Sequence, residues 1–89
     1  MKKRRLGEIA ENALDISRGL LSDFPNITLY GSSMCEVDNF KGLLDFSKSS
    51  VRINTTDSIL RLDGEHLSIS YMTDDTISIK GSIKCILFE

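Results

Sequence analysis

Eighty-nine residues, 40% hydrophobic and 27% charged, suit one small soluble domain and leave no room for a second core. The net charge of −2 conceals an asymmetry: Lys2, Lys3, Arg4 and Arg5 hold four of the eleven positive side chains, leaving seven positive against thirteen negative elsewhere. That balance argues against a nucleic-acid binder, which needs a broad basic surface, and no apolar run approaches the ~18 residues of a membrane span.

The basic start is followed by Leu6-Gly7-Glu8-Ile9-Ala10-Glu11, an amphipathic pattern rather than the apolar core of a signal peptide. The expected location is the cytoplasm, or the cytoplasmic side of a membrane. The basic cluster reads either as a solvated terminus or as a contact for anionic lipid or an acidic partner patch.

Residues 5–21 read as one helix. At about 100° per residue, Leu6, Ile9, Ala10, Ala13, Leu14, Ile16, Leu20 and Leu21 gather on one side, opposite Glu8, Glu11, Asn12, Asp15 and Arg18. Ser22, Asp23 and Pro25 end it. The stripe through Ile9 and Leu20 is expected to dock, either on the rest of the chain or on a partner. Residues 1–22 thus form a basic leader with an amphipathic helix, and residues 23–89 a β-domain.

From residue 26 onward the pattern changes to period two. The segment 26–31 (NITLYG) is a first strand, residues 34–38 a second and residues 42–46 a third. The segments SVRINTTD, SILRLDGE, HLSISYMTDD, TISIKG and SIKCILFE follow, each closed by a turn signal. Alternation puts Val51 and Ile53, Leu60 and Leu62, Leu67, Ile69 and Tyr71, Ile77 and Ile79, and Ile83, Cys85 and Leu87 inward. The fold class is mainly β: the helix, then seven to eight short strands in an antiparallel meander, a small sandwich or a partly open barrel. A short β-solenoid is the alternative, because ITLYG, LRLDG and ISIKG end alike. Hairpin turns that need glycine explain the same residues, and the glycines are irregularly spaced.

Residues able to carry chemistry are few. His66 is the single histidine and points outward beside a turn, with no further ligands at metal-binding spacing. Glu36 and Asp38 share a strand face and read as a solvated edge. Cys35 and Cys85 form no ligand cluster, and Cys85 reads as a small core residue. No nucleophile elbow, phosphate loop or dinucleotide fingerprint is present. The expectation is a non-enzyme with no cofactor, no metal and no catalytic residue.

The segments DFPNITLYG (23–31) and VDNFKGLLDFSKSSVRI (37–53), continued by SILRLDGEHLSIS and TISIKGSIKCILF, resemble the YabP/YqfC family of sporulation proteins, most nearly its YqfC branch. The most specific piece is Asn39-Phe40-Lys41-Gly42-Leu43-Leu44 with Phe46 shortly after. The resemblance implies a protein made during sporulation, in the mother cell, with no catalytic residues to carry over. It also implies a membrane-associated partner, since members of that branch tend to be encoded beside a membrane-embedded sporulation protein.

Within that piece, Asn39 suits a turn, Gly42 suits a backbone conformation closed to other residues or a close strand approach, and Lys41 suits pairing with Glu36 or Asp38. Asn39, Lys41 and Gly42, with Ile9 and Leu20, are the candidate interaction residues. Two functions follow: an interaction or assembly module of spore-envelope morphogenesis, self-associating or docked on a membrane protein, or a small ligand-binding or regulatory β-domain.

Overall fold

The computed structural model describes residues 23–89. The helix expected over 5–21, with Ile9 and Leu20 on its stripe, and the 1–22 leader lie outside the described residues. What is described is all β: β1 (Asn26–Tyr30), β2 (Met34–Asp38), β3 (Gly42–Phe46), β4 (Ser50–Asn54), β5 (Ile59–Met72) and β6 (Thr76–Phe88).

They form one antiparallel sheet in the order β1-β2-β6-β5-β4-β3. The sheet is open, with β1 and β3 as its two edges. Antiparallel ladders throughout exclude the solenoid. The chain is not a plain meander either, because β2 pairs with β6, more than forty residues ahead of it: Cys35 lies opposite Ile79.

Six strands stand where seven to eight were expected. SILRLDGE and HLSISYMTDD are a single strand of 14 residues, and TISIKG and SIKCILFE one of 13. Gly64 and Gly81 therefore lie within strands, not at hairpin turns. A Cβ on Gly64 would fall 2.0 Å from the Ser82 carbonyl oxygen, and one on Gly81 2.6 Å from that of His66. Gly81 also holds φ at 141°, and neighbouring His66 sits at φ 56°. These positions need glycine for close backbone approach at a bend in paired strands.

The bend folds the sheet over. In a flat sheet, β2 and β3 would be four strand spacings apart, about 19 Å. Only Asn39, Phe40 and Lys41 join them, a link that spans about 14 Å at most. The sheet therefore curls, bringing two four-stranded halves together. One half contains β1, β2 and the facing stretches of β6 and β5 around Ile79 and Ile69. The other contains β3, β4 and the stretches around Leu62 and Ile86. Their inward side chains make one core: Cys35, Val37, Ile77, Ile79 and Leu67 with Val51, Ile53, Leu60 and Leu62, and Phe40 from the link.

Bulges re-phase the long strands. An extra residue at Lys84 turns Ile86 inward and leaves Cys85 opposite Asp63, exposed. Cys85 is thus not a core residue, and the buried thiol is Cys35. An extra residue at Ser70 places Tyr71 opposite Ser78, so Tyr71 is exposed where simple alternation put it inward.

Candidate interaction surface

The link Asn39-Phe40-Lys41 is built as a structural crossing. Asn39 takes φ 63°, a conformation that Asn tolerates better than most residues, and its Nδ2 donates to the Phe24 carbonyl at 3.1 Å. The Phe40 N–H donates to the Asp75 carbonyl at 3.3 Å, and the Lys41 N–H to that of Asn54 at 2.7 Å. Phe40 closes one end of the core. Of the residues expected to interact, Asn39 serves the turn, and Lys41 projects into solvent.

Gly42 departs from expectation. Its φ is not positive, and nothing lies within 4 Å of where a Cβ would stand. It is neither a strained position nor a close approach. Lys41 makes no ion pair with Glu36 or Asp38. Asn39, Lys41 and Gly42 are adjacent, but only the Lys41 side chain is available as a contact.

The outward faces of the two halves differ. On the β3–β4 half, Arg52 pairs with Asp45 on β3 and with Glu89 at 2.9 Å, while Arg61 pairs with Asp63 at 3.1 Å and Glu89 at 3.7 Å. Hydrogen bonds that Arg52 donates to Glu89, and then to Asp45, raise its pKa above the ordinary value. Arg61 holds the Asp63 carboxyl below its usual range.

On the β1–β2 half, a row of paired residues crosses four strands: Thr28, Glu36, Ser78 and Tyr71. Beside it stand Tyr30 on β1 and Asp38 on β2, which accepts a hydrogen bond from the Thr76 hydroxyl at 3.0 Å. Far from being an exposed edge, β2 is an interior strand, with Glu36 and Asp38 half-buried on it. Among the described residues, neither carboxylate has a Lys or Arg partner. The Tyr71 hydroxyl is raised above its ordinary pKa by desolvation first, then by its hydrogen bond to Glu36. Between them Ser78 is fully buried, and its hydroxyl has no hydrogen-bond partner.

A third feature is an open cleft of about 290 Å³ between the end of β1 and the second half of β6, lined by Leu29, Gly31, Ser32, Ile83, Lys84 and Ile86. Among the described residues no group of three or more His, Cys, Asp and Glu side chains could hold a metal. Nor is any described helix long and apolar enough to cross a membrane.

The sequence model of the YabP family matches residues 23–89, the whole of the described β-domain. The chain belongs to the YabP family. A curated relative is the uncharacterized protein YqfC of Bacillus subtilis (strain 168), 26% identical over 87 residues, which span 98% of this chain and 94% of that protein. The YabP-family match covers both halves of the folded sheet, including the Asn39–Lys41 crossing and the glycine bends. The similarity to YqfC extends over nearly all of the leader as well.

Proposed function

We propose that this YabP-family protein is a non-enzymatic assembly module in spore-envelope morphogenesis. It acts in the mother-cell cytoplasm, peripheral to a membrane, with a membrane-embedded sporulation protein as its partner. Family membership carries the process. The surface supports the mode: among the described residues, β1 and β3 are edge strands with no further strand beside them, and the outward carboxylates of the β1–β2 half lack cations. Leu44 and Phe46 on β3 and Leu29 and Tyr30 on β1 are apolar or aromatic and exposed, as docking edges require.

The test is genetic and biochemical together. Deleting the gene is expected to reduce heat-resistant spores while leaving vegetative growth intact. Affinity recovery from sporulating cells is expected to bring down a membrane protein. Normal sporulation with no specific partner recovered would end this reading. The second reading, a small ligand-binding domain, is favoured by the cleft at Leu29, Ile83 and Ile86. It predicts that a bound apolar ligand raises the melting temperature of a monomer, and that Ile86→Glu removes the rise.

A further inference from the structure

The outward face of the β1–β2 half has unmatched chemistry. Tyr71 shares the row of Glu36, with Tyr30 in the neighbouring row on one side and Asp38 in the neighbouring row on the other. Ser78, in the same row, is buried with an unpartnered hydroxyl oxygen. Lys80 also stands on this face, opposite Met34, and joins no ion pair among the described residues. Aromatic rings beside carboxylates that have hydroxyl partners but no cation make a receptor for guanidinium or ammonium groups: the rings attract the cation's face, the carboxylates its donors. The opposite face already neutralises its acids with Arg52 and Arg61, so it offers no such vacancy.

The chain itself carries the matching chemistry. Residues 23–89 hold six Lys and Arg against ten Asp and Glu, a net −4, and Lys2-Lys3-Arg4-Arg5 is a run of four positive charges. We propose that the face formed by Tyr30, Glu36, Asp38 and Tyr71 binds the basic cluster at residues 2–5 of a second copy, joining copies head to tail. This rests on the assembly reading above and names its contact.

Binding between copies predicts association, whereas the chain's own cluster folding back onto this face would leave a monomer. The contact is heterologous, different surfaces meeting on each copy, so it can propagate into open chains instead of stopping at a dimer.

The experiment uses the full 89-residue chain in sedimentation velocity over a concentration series, at about 50 mM and about 500 mM salt. One variant neutralises the cluster (Lys2→Gln, Lys3→Gln, Arg4→Gln and Arg5→Gln). A second neutralises the face (Glu36→Gln and Asp38→Asn). A control neutralises the opposite face (Asp45→Asn). Wild-type mass is expected to rise with concentration at low salt and to fall back toward the monomer at high salt. Each neutralised variant alone should associate at least about tenfold more weakly, with unchanged circular dichroism and melting. Mixed one to one, the two variants should restore a heterodimer that grows no further, because each retains one competent surface. The control should behave as wild type.

A wild-type monomer at every concentration overturns the proposal, as does a mixture that forms no heterodimer. Loss of assembly in the control would also overturn it, by showing diffuse charge in place of a site. Wild-type assembly that survives both neutralisations rejects this contact while leaving the assembly function standing. Normal sporulation on gene deletion rejects the function itself.

Discussion

The two hairpins of this protein, β1–β2 and β3–β4, dock in the same way on the two long strands. At the first, the Gly81 and Ile83 N–H groups donate to the Ser33 and Ser32 carbonyls at 3.0 and 2.9 Å. At the second, the Gly64 and Leu67 N–H groups donate to the Ser49 and Lys48 carbonyls at 3.0 and 2.8 Å. In each case a hairpin tip supplies two adjacent carbonyls to a glycine-centred bend. The outward faces nevertheless diverge: one is an ion-pair network, the other an acidic and aromatic surface whose carboxylates pair with no cation among the described residues. The backbone solution is shared and the surface is not. Architecture here is fixed by glycine at two bends, while the outward side chains are free to specialise.

The equivalence of the two bends gives the largest expected effect. Gly64→Ala and Gly81→Ala should each cost about 3 kcal/mol or more, because the new methyl meets backbone that cannot swing aside. Gly42→Ala, with open space around it, should stay within about 0.5 kcal/mol of wild type. Chemical denaturation of the three variants checks this. Tolerance at one bend alone would show that the hairpins are not equivalent.

A smaller effect is expected at the crossing between the halves. Asn39→Ala keeps φ 63° but loses both the Asn preference for it and the bond to the Phe24 carbonyl, a cost of about 1–2 kcal/mol. Asn39→Gly should recover part of that loss, since glycine accepts the angle freely. If glycine is as damaging as alanine, the side-chain bond and not the backbone dominates.

Acid should weaken the β3–β4 half first. Asp63 has a depressed pKa in the folded state, so its contribution is complete above the usual carboxylate range and is lost as pH falls through the lower folded value. Carboxyl titration followed by NMR should find Asp63 below its ordinary value, and Arg61→Gln should return it there. High salt should shrink the difference, as for any exposed pair.

The thiols sharpen the same contrast without touching stability. Cys35 lies on the inward face of β2, in the core, and burial pushes its pKa up to about 11. Cys85 lies on the outward face beside Asp63. Alkylation at neutral pH should modify Cys85 in the folded protein and both cysteines after denaturation, as peptide mass mapping would show.

Much of this was legible in the sequence where strands obey strict alternation. Val51 and Ile53, Leu60 and Leu62, and Ile77 and Ile79 are inward as their spacing requires. Reading failed where one residue was inserted. The bulges at Lys84 and Ser70 reverse the phase, which put Cys85 and Tyr71 on the wrong side. Gly64 and Gly81 looked like chain reversals because a glycine between two alternating runs has the same local pattern in a turn and in a bend. Glu36 and Asp38 looked like an edge because nothing near them in sequence announces β6 as their neighbour. At the crossing, Asn39 was legible through its turn chemistry, but Gly42 was misread because glycine content does not disclose a dihedral angle.

The pairing of β2 with β6 also has a consequence for how the chain acquires its shape. Every other ladder joins strands that follow one another, but β2 must wait for residues about forty positions later. During synthesis, the β1–β2 hairpin emerges first and stays undocked until the 76–80 stretch is made, whereas β3 through β6 can zip consecutively. In the finished protein the same hairpin is the unit that can detach without unzipping any sequence-local ladder. Its amides should exchange with solvent deuterium ahead of those in β4 and β5, and its release would bare the β6 edge to any chain nearby.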